Sequence, residues 1–295
     1  MFSTVVVGVD GQFGGRDAIA LARQLTAEDG QLVLAHIYPL RGDPVHRDYN
    51  DYEASEYANA RNLLLDTRDK AGVQAKLRWS ACTSPGRGLH ELAESLGSDL
   101  LVVGSSVRGL VGRVLIGDDT SAALDGASCA VAVAPVGYAK HPKPIERIGV
   151  GYDGSPDSVR ALDLARTLAR ELEAGVAALE VVAYPACVFR APDAGDNASV
   201  RELIGGARDR VASIGDVEPH GAYGHPAEEL ARWGDTVDLL VVGSRGYGPL
   251  GRLVHGSTSR AVVQAARCPV LVLTRSVPAT WTQRPQHDEP AVAST

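Results

Sequence analysis

A fifteen-residue segment occurs twice in this chain of 295 residues. It reads GSSVRGLVGRVLIGD from Gly104 to Asp118 and GSRGYGPLGRLVHGS from Gly243 to Ser257, a constant offset of 139 residues. The likeness spreads outward. DLLVVGS begins at Asp99 and again at Asp238, and SCAVAVAP from Ser128 matches RCPVLVLT from Arg267, at the same offset. VGVDG ending at Gly11 returns as VGYDG ending at Gly154, at an offset of 143. The intervening stretch is therefore four residues shorter in the second copy. A repeat this long marks duplicated domains, since solenoid units are shorter. The expected division is a first domain over residues 1–138 and a second over 145–276, joined by the proline-bearing AKHPKP. The aperiodic tail, 277–295, is expected to be disordered.

Each copy alternates strand and helix patterns. Thr4–Val9 is a continuous β-branched run, as in a strand covered on both faces. Ala18, Leu21, Ala22 and Leu25 follow at helical spacing. Leu32–Ile37, Ala75–Ala81, Leu100–Val103 and Ala130–Ala134 read as strands. Glu53–Ala71, Leu89–Leu96 and Ser121–Gly126 read as helices. The second copy repeats the order from Ile148–Tyr152 through Val159–Leu172, Val176–Ala183, Val200–Ala212, His220–Tyr223, Ala227–Trp233, Leu239–Val242 and Thr258–Ala266 to Val270–Leu273. Such alternation predicts an α/β fold, a doubly wound parallel sheet with helices on both faces. In such sheets ligands lie beyond the carboxyl ends of the strands, where strand order reverses.

Composition narrows the partners. A net charge of −7 argues against nucleic acid and against an anionic membrane surface. No apolar run approaches the roughly 20 residues that span a bilayer, and the N-terminus reads as a strand instead of a signal peptide. Cys82, Cys129, Cys187 and Cys268 form no C-x-x-C pair, which fits reduced thiols in a cytoplasmic protein and no metal site.

The repeated segment has chemistry of its own. In the second copy Gly243 ends a strand, and Gly256, Ser257, Thr258 and Ser259 open a helix. Glycines at 246, 248 and 251 let backbone N–H groups approach a ligand closely. A helix N-terminus offers unpaired donors and positive potential, which suit phosphate. Arg245 and Arg252 could neutralise charge. A plainer reading is a tight loop whose Ser257 caps the helix.

The spacing G-x-x-G, nine residues, then G-S resembles the ATP-binding signature of the universal stress protein A family. Gly243, Gly246, Gly256 and Ser257 meet it. The V-G-x-D-G-S start at Gly151–Ser155 and the C-P-V-L-V-L strand from Cys268 extend the resemblance over nearly the whole chain. It implies tandem five-stranded domains, each with strand order 3-2-1-4-5, and an ATP-binding regulator of the stress response. By resemblance, Gly151, Tyr152, Asp153 and Gly154 would meet the adenosine moiety, and backbone near Val182 and Ala183 the adenine. Gly243, Arg245, Gly246, Gly248, Gly256, Ser257, Thr258 and Ser259 would hold ribose and phosphates. The expected cofactor is ATP, with or without Mg²⁺.

The first copy departs from that signature. Its counterparts are Asp10, Gly104 and Gly117, but Val107 stands where a glycine is required and Asp118 where the serine is. Asp118 would cap the helix itself. It would also repel phosphate by roughly 1–4 kcal/mol per charge pair near 4 Å. A divalent ion bridging Asp118 to phosphate is the alternative.

Catalytic patterns are scarce: no G-x-S-x-G, H-E-x-x-H or Walker A loop is present. FGGRDA at Phe13–Ala18 faintly resembles a pyrophosphatase loop but reads as a flexible turn into the first helix. His255 lacks a polar counterpart, and His90, beside Glu91, reads as solvated surface. A binding protein is favoured over an enzyme, with slow ATP hydrolysis and a non-nucleotide dimerisation scaffold as alternatives. The family resemblance also implies that Ala130–Ala134 and Val270–Leu273 pair within the chain, and that whole chains form a homo-oligomer.

Overall fold

Runs of valine and leucine without polar alternation become strands covered on both sides. The computed structural model describes residues 1–11, 13–40, 48–105, 127–183, 197–244 and 257–274. The first half runs β1 (Phe2–Gly8), α1 (Phe13–Leu25), β2 (Thr26–Pro39), α2 (Asp48–Ala71), β3 (Lys76–Cys82), α3 (Pro85–Ser95), β4 (Leu100–Gly104) and β5 (Ala130–Ala134). The second runs β6 (Arg147–Tyr152), α4 (Pro156–Leu172), β7 (Gly175–Ala183), α5 (Asn197–Ala212), β8 (Glu218–Gly224), α6 (Pro226–Trp233), β9 (Leu239–Gly243), α7 (Ser257–Ala265) and β10 (Val270–Leu273). The expected helix Ser121–Gly126 and the tail lie outside the described residues, as does Cys187.

The ten strands among the described residues form one sheet, ordered β3-β2-β1-β4-β5-β10-β9-β6-β7-β8. Each half keeps the order 3-2-1-4-5 with parallel pairing. The halves meet where β5 and β10 run antiparallel, with Val131 opposite Val272, Ala132 opposite Leu271 and Val133 opposite Val270. Two apolar edges thereby satisfy each other's backbone groups. Alternate residues of the strands enter two cores. Val5, Val7, Leu34, Val102, Ile148 and Leu271 pack beneath α1, α2, α4 and α5. Val6, Leu101, Val133, Leu240, Val242 and Val272 pack beneath α3, α6 and α7. Each core draws on both halves of the chain.

Equivalent carboxylates anchor the start of each half. Asp99 Oδ2 accepts from the Ser3 and Thr4 amides at 2.9 and 3.0 Å. Asp238 Oδ2 accepts from the Glu146 and Arg147 amides at 3.1 and 2.9 Å. Asp17 has no such twin. Buried at 3% exposure, it accepts from the Gly137 and Ala139 amides at 2.8 and 2.7 Å. It fixes the start of the connection between halves, where Tyr138–Lys140 forms a 3₁₀ turn. The opening of AKHPKP is thus tied to α1.

Several elements differ from their expected extents. β2 starts at Thr26, directly after α1, and not at Leu32. Its first residues, TAEDGQ, are polar and carry no apolar pattern, yet Thr26 pairs with Phe2 across a register shift that Gly30 accommodates. FGGRDA is the first turn of α1, not a flexible turn ahead of it. A Cβ at Gly104 would fall on the backbone of Gly14, so the glycines permit close packing of helix on strand end. His90 is half-buried on α3, while Glu91 is exposed and bonded to Arg87 at 2.8 Å.

Candidate functional site

The start of α4 organises itself locally. Gly154 has φ of +74°, a conformation L side chains rarely adopt, and it turns the chain from β6 toward the helix. Ser155 caps the helix: its Oγ accepts from the Ser158 amide at 3.3 Å, and Pro156 follows at the first helical position. The Ser158 hydroxyl donates to the Ser155 carbonyl at 2.9 Å, and the Asp153 carboxylate accepts from the Ser155 amide at 3.0 Å. The sequence DGSPDS therefore builds a hydrogen-bonded knot at the end of β6. Gly11, with φ of +77°, makes the same turn in the first half.

A cavity opens over this knot, at the carboxyl ends of β6, β7 and β9, where strand order reverses. Leu179, Val181, Leu230 and Val242 form its apolar wall. Asp153, Ser155, Asp157 and Ser158 line one polar side, and Thr258 and Ser259 line the other. The last two stand in the first turn of α7, at the positive end of the helix dipole. Gly151 keeps the floor open: a Cβ there would meet Leu230 Cδ2 at 3.1 Å and Val242 Cγ1 at 3.3 Å. Gly243 lets β9 end against the first turn of α4, at Asp157. The Asp157 carboxylate is paired with Arg160 at 2.6 Å, which offsets part of its charge.

Of the residues singled out in the sequence, Gly151, Tyr152, Asp153, Gly243, Thr258 and Ser259 line this cavity. Asp153 is exposed at the rim. Gly154 shapes the turn instead of lining the cavity. β7 contributes Leu179 and Val181 to the lining; the Val182 side chain faces the opposite way, and Ala183 follows on the face of Val181 at the end of the strand. Arg245, Gly246, Gly248 and Gly256 lie outside the described residues, as does the Ser257 side chain; so do Val107, Gly117, Asp118 and His255. Sequence reading missed Leu179, Val181, Leu230 and Val242. Their apolar character signals burial alone, and only the pairing of β6 with β7 brings Leu179 beside Gly151.

A matching cavity sits at the same place in the first half, lined by Gly8, Asp10, Gly14, Gly15, Ala35, His36, Ile37, Leu89, Val103 and Gly104 among others. Among the described residues no group of three or more His, Cys, Asp or Glu is arranged to hold a metal. No helix among them is long and apolar enough to cross a membrane.

Comparison with known proteins bears on both halves. The sequence profile of the universal stress protein family matches twice, at residues 1–135 and 144–274. Universal stress proteins of Mycobacterium bovis and Mycobacterium tuberculosis are each 30% identical over 293 residues, covering 92% of this chain and 97% of theirs. Among solved structures, a universal stress protein from Archaeoglobus fulgidus shares the fold with a TM-score of 0.63 at 18% identity, covering 92% of this chain and 98% of the other.

Proposed function

This chain belongs to the universal stress protein family, and from that premise we propose that its second half binds ATP and that the protein serves as a nucleotide-dependent regulator of a cytoplasmic stress response. One observation carries the reading. The α7 N-terminus, with Thr258 and Ser259, opens into a cavity at the strand-order reversal, directly after the G-x-x-G, nine-residue, G-S spacing. Amide donors and hydroxyls on one side suit phosphate oxygens. The wall of Leu179, Val181, Leu230 and Val242 suits a flat base. Arg245 and Gly246, from the same motif, extend the phosphate-binding loop in this reading. Mg²⁺ would enter with the triphosphate, as it favours phosphate and carboxylate oxygens together. Domains bounded at residues 1–138 and 145–276, and assembly of whole chains into a homo-oligomer, belong to the same proposal.

The test is ATP binding by the full chain and by Gly246→Val. A β-branched side chain at that position of the loop obstructs close backbone approach to phosphate, so the variant should lose ATP binding while melting as the parent does. Equal affinity in both proteins overturns the site assignment. The mass of the purified protein, measured natively, independently reads whether nucleotide is carried through purification.

A further inference from the structure

A further cavity, of about 430 Å³, lies away from both strand-order reversals. It sits past the carboxyl end of β5 and at the amino ends of β9 and β10, so β9 separates it from Gly243. Three segments build it. The connection between halves supplies His141 and Lys143, the turn between α6 and β9 supplies Asp235 and Asp238, and Arg267 stands ahead of β10. The antiparallel join makes this meeting, because it sets the end of β5 beside the start of β10. The Asp17 carboxylate holds the Gly137 and Ala139 amides, so the connection enters the cavity from a fixed start.

The charges divide by segment. Cationic Lys143 stands on the connection, and both carboxylates stand on the α6–β9 turn. Asp238 Oδ2 is engaged by the Glu146 and Arg147 amides. The side chains of Lys143, Arg267 and Asp235 are exposed and make no hydrogen bond or ion pair with a described residue. Opposite charges thus line one cavity without closing it. The duplicated fold does not require them, since Leu96 and Ser128 stand 139 residues before Asp235 and Arg267. Val136, 45% exposed, adds apolar surface to the same lining, with Val237 and Pro269.

With His141 neutral, Lys143 and Arg267 balance Asp235 and Asp238, so the lining favours neither a bare anion nor a bare cation. A dipolar molecule meets both signs at once. We propose that this cavity binds a zwitterionic α-amino acid with an apolar side chain. Its carboxylate lies toward Lys143 and Arg267, its ammonium toward Asp235, and its side chain against Val136. Such a ligand touches the connection, the α6–β9 turn and the start of β10 together, and so ties the halves beyond their strand join. The inference is independent of nucleotide binding, whose cavity lies at the other end of β9.

The experiment titrates L-leucine by calorimetry into the full chain, beside 4-methylpentanoate and 3-methylbutylamine, which keep the branched chain but carry one charge each. Leucine should bind at least about fivefold more tightly than either, the factor that one exposed ion pair can supply. Asp235→Asn should weaken leucine about fivefold and leave 4-methylpentanoate unweakened. Lys143→Gln should weaken leucine and 4-methylpentanoate about fivefold each and leave the amine unweakened. Both positions are exposed, and the melting temperature without ligand tracks fold integrity. Absent leucine binding, equal binding of leucine and either analogue, or leucine affinity untouched by Asp235→Asn or by Lys143→Gln overturns the proposal. Each of these results reads the same way whether or not the parent chain binds ATP.

Discussion

A Cβ built on Gly243 would lie 2.8 Å from the carbonyl oxygen of Asp157. The first glycine of the repeated segment is therefore a packing residue, holding the end of β9 against the first turn of α4. The same turn carries Ser155 and Ser158 into the cavity.

Gly243→Ala should push α4 away and cost roughly 1–3 kcal/mol of stability, as overpacking does. ATP affinity should fall with it. Gly205→Ala is the contrast: nothing lies within 4 Å of its Cβ, and it sits inside α5. That change should stabilise by roughly 0.4–1 kcal/mol. Thermal unfolding of the two variants reads both signs; a Gly243→Ala protein as stable as the parent sinks the packing role.

The two halves should bind ATP unequally, with about one ATP per chain at moderate concentration. Val107 and Asp118 depart from the complete motif of the second half. The pair Val107→Gly with Asp118→Ser should create or strengthen a second site, and either change alone should recover less. Titration calorimetry decides: two equivalent sites in the parent chain, or no gain in the double variant, would refute the inequality. Binding at the first half that vanishes with chelator would instead support a bridging divalent ion.

Val272 is fully buried opposite Val131 in the antiparallel join of the halves. Val272→Asp places an unpaired charge there and should cost at least about 4 kcal/mol. Differential scanning calorimetry should show a large fall in melting temperature, and a protein melting unchanged contradicts the observed join.

Cys129 and Cys268, equivalent residues before β5 and β10, have thiols pushed up to about 12 by burial. They should remain protonated and resist alkylation at pH 8, while the half-buried Cys82 reacts first of the three. Mass spectrometry of a timed alkylation orders them, and early modification of Cys268 would contradict its burial. The sign of the pH effect on stability follows. The unfolded chain gives up these thiol protons at lower pH than the folded chain. Their contribution is therefore full below about pH 9 and declines as pH rises toward about 12.

Much of the architecture was legible in residue order. Continuous valine and leucine runs marked β1, β4, β9 and β10, because a strand covered on both faces has no polar side to alternate. Of the residues lining the second cavity, Asp153 was named from the family resemblance, and Gly243, Thr258 and Ser259 from the repeated segment. Leu179 and Val181 could not be named, since one residue of registry decides whether a strand side chain meets the ligand or the opposite core.

By itself the sequence determined that this is a duplicated α/β unit and which copy keeps the complete glycine and serine spacing. Those properties are local or periodic, and each residue carries them wherever its neighbours lie. The tertiary structure alone decided the rest. It joined two sheets into ten strands through Val131 and Val272, extended β2 back to Thr26 against Phe2, and anchored the connection between halves on Asp17. It also set Ala35 and His36 in one cavity where Leu179 stands in the other. Periodicity records that a face is buried and a glycine records that space is short. Neither records which distant atom comes to lie against it, and that is settled only when all the elements pack at once.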